Sequence, residues 1–104
     1  MPDMPLSYRP PLEFEWDARK AASNASKHGI TFDDGIDLFT DPGHVVWDVS
    51  RPEDREVRWK AIGMIDGRIF VAVFVWRAAV ARLISVRRAN RREERIYGDR
   101  KNEA

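Results

Sequence analysis

The chain has 104 residues, of which 43% are hydrophobic and 34% are charged, and it contains no cysteine. This balance predicts one folded domain, argues against a disordered chain and excludes disulfides and thiolate chemistry. No apolar run reaches the roughly 18 residues that span a bilayer. The N-terminus lacks the pattern of a secretory signal, so we expect a cytoplasmic protein that does not contact membranes.

The net charge of +1 conceals an uneven distribution. Residues 1–54 carry 5 basic and 11 acidic side chains, whereas residues 55–104 carry 13 basic and 6 acidic ones. The basic half could bind a polyanion. The two halves could equally pair with each other in the fold, and composition does not choose between these arrangements.

The N-terminal region predicts a lead-in followed by a short strand. Residues 1–12 hold four of the six prolines, and we expect this segment to be flexible. A single domain is then predicted over residues 13–104. Alternating residues from Leu12 to Trp16 indicate a strand with Leu12, Phe14 and Trp16 facing inward.

Two helices follow this strand. The first is predicted from the N-cap Asp17 to Gly29, with a packing face of small residues: Ala18, Ala21, Ala22 and Ala25. The second begins at Thr31, presents apolar residues at helical spacing and ends at residues 41–43, where Asp-Pro-Gly interrupts it.

The remaining chain predicts four strands and a final helix. Strands are expected over residues 44–49, 55–65, 68–76 and 80–86, with Asp66-Gly67 as a hairpin turn between the second and third. A helix begins after the N-cap Asn90 and is predicted to end before Gly98. The order β-α-α-β-β-β-β-α indicates an α+β fold, a small antiparallel sheet with two N-terminal helices and a C-terminal helix.

The last strand and helix form the most basic part of the chain. From Arg82 to Lys101 there are eight basic and three acidic residues. This stretch could present a phosphate-binding surface. It could also be an ordinary solvated helix face with ion pairs to Glu93 and Glu94.

Cationic residues also interrupt the apolar strands. Arg58 and Lys60 share a predicted strand face, and their stems could simply reach solvent along the sheet. Strict alternation places Arg82 on the opposite face from Ser85 and Arg87, so all three can face one site only if the strand contains a bulge.

Five segments resemble, in order and spacing, the successive motifs of the BrnT toxins. They are Phe14-Glu15-Trp16-Asp17, Lys27-His28-Gly29, Arg58-Trp59-Lys60-Ala61-Ile62-Gly63, Arg82-Leu83-Ile84-Ser85-Val86-Arg87-Arg88-Ala89 and Arg92-Glu93-Glu94-Arg95-Ile96-Tyr97. The resemblance covers residues 13 to about 98. The chain departs from the family pattern at Val86, where alanine is usual, and its proline-rich lead-in has no counterpart in that pattern.

The resemblance implies a RelE-like ribonuclease toxin of a type II toxin–antitoxin pair. Such a toxin would cleave RNA and inhibit translation. A BrnA-type antitoxin would neutralise it, and operator DNA would be contacted only through the complex with that antitoxin. No cofactor or metal is expected, because His28 and His44 lack a metal-ligand spacing.

Metal-free RNA cleavage needs a base, an acid and cations around the phosphate. These three requirements suggest candidate roles for the residues of the motifs. The expected catalytic residues are His28, Lys27, Arg58, Arg82 and Arg87. The expected RNA-binding residues are Arg88, Ser85, Lys60 and Tyr97. For His28, capping of the helix end is an equally open interpretation.

A second hypothesis is a non-catalytic module that binds nucleic acid or a partner through the same basic surface. A binder needs the positive charge but no proton carrier, so His28 is the residue that separates the two hypotheses.

Overall fold

The computed structural model of the chain describes residues 4–102, with side chains described for residues 4–99. The first three residues of the predicted lead-in, the last two of the predicted domain and the side chains of residues 100–102 lie outside this range. Strands and helices in the described part follow the predicted order. They are β1 (Glu13–Glu15), α1 (Ala18–His28), α2 (Phe32–Gly35, continued by a 3-10 turn over Ile36–Thr40), β2 (Val45–Asp48), β3 (Arg58–Ile65), β4 (Arg68–Arg77), β5 (Val80–Arg88) and α3 (Arg91–Asn102).

The strands form one sheet in the order β1-β5-β4-β3-β2. β2 to β5 pair antiparallel, whereas β1 pairs parallel with β5. The α+β prediction is confirmed, and the RelE-like label stays a prediction. No helix within residues 4–102 is long and apolar enough to cross a membrane.

The local signals that predicted the element boundaries act as expected at three places. The Asp17 carboxylate accepts hydrogen bonds from the backbone N–H groups of Arg19 and Lys20 at the start of α1. Gly29 ends that helix with a φ of 71°, a value that glycine adopts without strain. Asp66 and Gly67 both have positive φ, 49° and 77°, as a tight hairpin turn between β3 and β4 requires.

Three sequence predictions are wrong. Leu12 is 94% exposed, because β1 begins only at Glu13. Ala18 and Ala22 are exposed, and the residue that α1 buries is Asn24. The helix α3 continues through Gly98 to Asn102, since a single glycine weakens a helix by only about 1 kcal/mol and does not end it.

The main core lies on one face of the sheet, beneath α2 and its 3-10 turn. Large side chains from these elements and from the central strands are fully buried there: Phe32, Leu38, Phe74 and Leu83. A smaller cluster on the opposite face contains Ile62, Val71 and Tyr97, under α3.

Part of the lead-in contacts the sheet. The Tyr8 ring lies 5.9 Å from that of Trp59, and its hydroxyl is hydrogen-bonded to Nε2 of His44 at 2.7 Å. Nδ1 of the same imidazole lies 2.7 Å from the carbonyl oxygen of Asp41. That oxygen can only accept, so Nδ1 carries the proton, and Nε2 accepts from Tyr8 in the neutral ring.

Asn24 joins α1 to the edge of β5. β1 pairs with β5 only from Val80 to Arg82, which leaves the outer edge of β5 without a strand neighbour at Val86. The Asn24 amide donates to the carbonyl oxygen of Val86 at 2.8 Å, and its oxygen accepts from the Val86 N–H at 3.1 Å. The side chain therefore takes the place of a paired strand at this point.

We predict that Asn24→Ala destabilises the protein by roughly 3 kcal/mol, because it leaves a buried donor and a buried acceptor of Val86 without partners. Ser26→Ala, at an exposed position of the same helix, is the matched control. Urea unfolding of both variants measures the difference. A loss below about 1 kcal/mol for Asn24→Ala would mean that water replaces the amide.

Candidate functional site

The strand register places the predicted strand cations on one sheet face. Residues directly opposite each other in a sheet point to the same side. The pairing aligns Arg58 with Val75 and Arg82, then Lys60 with Val73 and Ser85, then Ile62 with Val71 and Arg87. We call the face that carries Arg58, Lys60, Arg82, Ser85 and Arg87 the basic face.

A bulge in β5 makes this arrangement possible. Phe74 pairs with Leu83, but the adjacent Val73 pairs with Ser85, so Ile84 has no partner of its own in β4. The extra residue reverses the alternation between Arg82 and Ser85. By the sequence pattern alone, three residues of β5 could share one face only if the strand contained a bulge. With the bulge present, all three lie on the basic face: Arg82, Ser85 and Arg87.

Two members of the basic face are bound to a buried carboxylate. Glu93, which is 4% exposed, accepts from Arg87 through both oxygens at 2.7 and 2.8 Å and from the Lys60 ammonium at 3.0 Å. It also exchanges two hydrogen bonds with Asn90 in a capping box at the start of α3. Arg87 and Lys60 are thus already paired within the protein.

The pKa of Glu93 reflects these contacts. Burial by itself raises the pKa of this carboxyl group. The hydrogen bonds from Arg87, the Asn90 N–H and Lys60 outweigh burial and lower the pKa from 4.5 to about 2. Glu93 is therefore ionised at every physiological pH, and it ties α3 to β3 and β5.

Arg58 and Arg82 have weaker partners and remain accessible. Arg58 lies 3.5 Å from Asp54, and Arg82 lies 3.4 Å from Glu15 with 29% of its side chain exposed. Both ion pairs join the basic half of the chain to the acidic half. The Arg82–Glu15 pair is partly exposed at both ends, and such pairs contribute little stability, about 0–1 kcal/mol, so another anion could compete for Arg82. In the Arg58 pair the Asp54 side chain is only 4% exposed, but the 3.5 Å separation leaves Arg58 able to bind a second anion.

These two arginines line a groove of about 310 Å³ together with Lys20, Arg77 and Ile84. The same groove is also lined by three carboxylates: Glu53, Asp54 and Glu56. A neighbouring groove of about 270 Å³ is lined by Lys20, Lys27, His28, Ile84 and Ser85. The two share Lys20 and Ile84, so they adjoin along the same strand. We call the two together the β5 groove.

α1 supplies one wall of the β5 groove. Lys20, Asn24, Lys27 and His28 recur at helical spacing, and the bonds from Asn24 to Val86 press this side of α1 against β5. His28, in the last turn, thereby lines the same part of the groove as Ser85. The structure thus brings together His28, Lys27, Arg58, Arg82 and Ser85.

Arg88 lies elsewhere. It pairs with Phe70 across the strands, stacks on that ring at 5.6 Å and faces the side of the sheet opposite Arg87. It lines a different groove of about 560 Å³ with Asp34 and Arg68. His28 borders this groove as well, so the imidazole stands between the two.

Tyr97 does not reach the surface. Its side chain is 3% exposed, and its hydroxyl donates to the Asp41 carboxylate at 2.6 Å. Burial and this hydrogen bond raise the pKa of Tyr97 to about 12. The predicted stacking or proton donation by Tyr97 has no support in this geometry, because the ring is enclosed under α3.

Sequence reasoning gave no role to Lys20, Asn24 or Glu15, and it named Glu93 only as an ion-pair partner of the arginines on a solvated helix face. Asn90 followed three residues later by Glu93 is a capping-box signal that identifies Glu93 as an inward-turning carboxylate. The i, i+4, i+7 spacing of Lys20, Asn24 and Lys27 was a further signal. The position of Glu15 depends on the parallel pairing of β1 with β5, which no local sequence pattern indicates.

In the part of the chain with described side chains, no group of His, Cys, Asp or Glu residues is arranged to hold a metal ion.

Comparison with known proteins gives a family for the chain. The family model described as a ribonuclease toxin, BrnT, of type II toxin–antitoxin systems matches residues 16–93, well over half of the chain. No curated protein matches. The matched range contains β5 and its bulge, α1 and every cation of the β5 groove.

We predict that Glu93→Gln lowers the free energy of unfolding by about 3 kcal/mol at neutral pH, because it leaves Arg87 and Lys60 without their buried counter-ion. Since folding lowers the pKa of Glu93, its contribution is complete above about pH 4.5 and is lost as the pH falls towards 2. The stability gap between variant and wild type should therefore close over this interval. Urea unfolding across pH measures the gap.

Glu94→Gln is the matched control for this prediction, since Glu94 is exposed in the same helical turn. It should unfold like the wild type at every pH. A gap for Glu93→Gln that stays constant down to pH 2 would contradict the assigned role of the carboxylate.

Proposed function

The chain belongs to the BrnT family of ribonuclease toxins of type II toxin–antitoxin systems, and we propose that it cleaves RNA in the β5 groove without a metal ion. One observation carries this proposal. The bulge in β5 and the docking of α1 bring two accessible arginines, a serine and a histidine to one groove. Arginines and a titratable imidazole are the groups that metal-free phosphodiester cleavage requires.

Arg82 and Arg58 contact the phosphate in this proposal. Their planar guanidinium groups can each donate two hydrogen bonds to one phosphate and stabilise the charge that grows in the transition state. The Ser85 hydroxyl can donate to the same phosphate, and Lys20 and Lys27 attract the RNA strand to the groove.

His28 serves as the acid that protonates the leaving 5′-oxygen. Its place in the last turn of α1, in the same part of the groove as Ser85, puts the imidazole next to the phosphate-binding residues. Arg87 and Lys60, both bound by Glu93, hold the shape of the basic face and do not contact substrate. Arg88 and Tyr97 are outside the β5 groove.

An antitoxin is the expected protein partner, because the family belongs to type II systems. We propose an antitoxin of the BrnA type, on the strength of the sequence resemblance. It would inhibit the enzyme by binding the protein, and operator DNA would be contacted through the resulting complex.

We predict that the purified protein cleaves single-stranded RNA in the presence of EDTA, leaving 2′,3′-cyclic phosphate and 5′-hydroxyl ends. Gel analysis of end-labelled RNA detects both the cleavage and the ends. Folded protein that binds RNA but leaves it intact, with or without added Mg²⁺, would support the non-catalytic binding module instead. Cleavage only after Mg²⁺ is added would contradict the metal-free mechanism.

We predict that Arg82→Ala slows RNA cleavage about a hundredfold, the usual cost of one lost charge-stabilising contact. Melting temperature should change little, because the ion pair with Glu15 is half-exposed. Arg19→Ala removes the same charge from an exposed position of α1 and should leave both quantities unchanged. An Arg82→Ala protein that is destabilised yet cleaves normally would remove this arginine from the site.

A further inference from the structure

The proposed reaction needs a base as well as an acid. The attacking 2′-hydroxyl must lose its proton while the leaving oxygen gains one. His28 supplies the acid on the Ser85 side of the β5 groove. The base should be a carboxylate or a second imidazole on the Arg82 side, within reach of a phosphate held there.

Glu15 occupies that position. β1 pairs with β5 so that Glu15 lies opposite Arg82 and points to the basic face. Its carboxylate is 3.4 Å from the Arg82 guanidinium and 42% exposed. A phosphate bound by Arg82 would therefore have the Glu15 oxygens beside it.

Among the other carboxylates near this face, Glu53 is exposed and its 3.5 Å ion pair is with Arg51, which is not one of the phosphate-binding arginines. The remaining three are held more closely by their own partners. Asp54 accepts from the Arg51 side chain and backbone at 3.1 and 2.8 Å. Glu56 is bound by Arg77 at 3.1 Å, and Glu93 is buried under α3. Glu15 combines accessibility, a loose ion pair and contact with a phosphate-binding arginine.

The spacing along β5 suits a base and an acid on opposite sides of one phosphate. Arg82 and Ser85 lie opposite Val75 and Val73, which are two residues apart in β4, so the bulge leaves them about 7 Å apart along the sheet. Glu15 adjoins the first of them, and His28 lines the same part of the groove as the second. A single phosphodiester between these two ends would present its 2′-oxygen to one side and its 5′-oxygen to the other.

We propose that Glu15 is the general base of the cleavage reaction, an inference that rests on the proposed ribonuclease function. A Glu15 carboxylate oxygen takes the proton of the 2′-hydroxyl as the 2′-oxygen forms its bond to phosphorus. The bond from phosphorus to the 5′-oxygen breaks, and that oxygen takes a proton from the His28 imidazolium. Glu15 ends protonated and His28 neutral, and exchange with water restores both.

The test compares Glu15→Gln with Glu13→Gln, a neighbouring glutamate of the same strand and the same face that lies opposite Val80. Three quantities are measured for each variant and for the wild type. They are the single-turnover cleavage rate, the Kd for the same RNA carrying 2′-deoxyribose at the cleaved position, and the melting temperature. The deoxy RNA binds without being cleaved, so its Kd reports binding alone.

Glu15→Gln should lower the cleavage rate at least a hundredfold, within the range for loss of a general base. Its Kd for the deoxy RNA and its melting temperature should stay close to those of the wild type. Glu13→Gln should match the wild type in all three measurements. Glu15→Asp retains a carboxylate and should recover part of the lost rate.

Two results overturn the assignment. One is a folded Glu15→Gln protein that cleaves RNA at the wild-type rate. The other is a loss of rate matched by an equal loss of affinity for the deoxy RNA, which would mean that Glu15 acts only by orienting Arg82. A wild-type protein that does not cleave RNA is a different failure, since it removes the proposed function before any variant is compared.

Discussion

The paired hydrogen bonds between the Asn24 side chain and the Val86 backbone govern the architecture around the groove. They close the edge of β5 where no strand pairs with it, and they place α1 alongside that strand. His28 follows Asn24 by one helical turn, so its position is set by the same contact. The approach of α2 is equally tight there, because a Cβ on Gly35 would lie 2.7 Å from a Val86 methyl group. Both N-terminal helices therefore pack against the same strand residue, Val86.

Glu93 divides the basic face into two parts with different uses. Around this carboxylate the cations are half-buried, closely hydrogen-bonded and occupied, and they attach α3 to the sheet. At the other end of the face, Arg58 and Arg82 have only longer ion pairs, with Asp54 and Glu15. A weak ion pair orients the arginine at a small cost in free energy. A phosphate that binds the arginine more strongly can then displace the carboxylate. The stable part of the face therefore supports the part that is available for substrate.

Local signals predicted the order of elements well, and long-range contacts explain what they missed. The cap at Asp17 and the Asp66-Gly67 turn depend on neighbouring residues and appear as predicted. The parallel pairing of β1 with β5 joins segments more than sixty residues apart, so no local pattern records it. For the same reason the sequence could define the need for a bulge in β5 but not show that one exists. It marked Arg87 and Tyr97 as candidates and left open ion pairs of the arginines with Glu93, but it could not show that Glu93 and Asp41 bind these two residues in the fold.

The bulge at Ile84 makes β5 tolerant of a change in length at that one position. It keeps Leu83 and Val86 in the core while Arg82, Ser85 and Arg87 lie on the basic face. Because Leu83 and Ser85 already lie opposite adjacent residues of β4, Phe74 and Val73, deleting Ile84 would restore regular alternation and leave the other side chains of the strand on their present faces. Ile84 lines both parts of the β5 groove, so homologous chains that lack this residue should keep the same core and basic face and have one apolar side chain fewer in the groove wall.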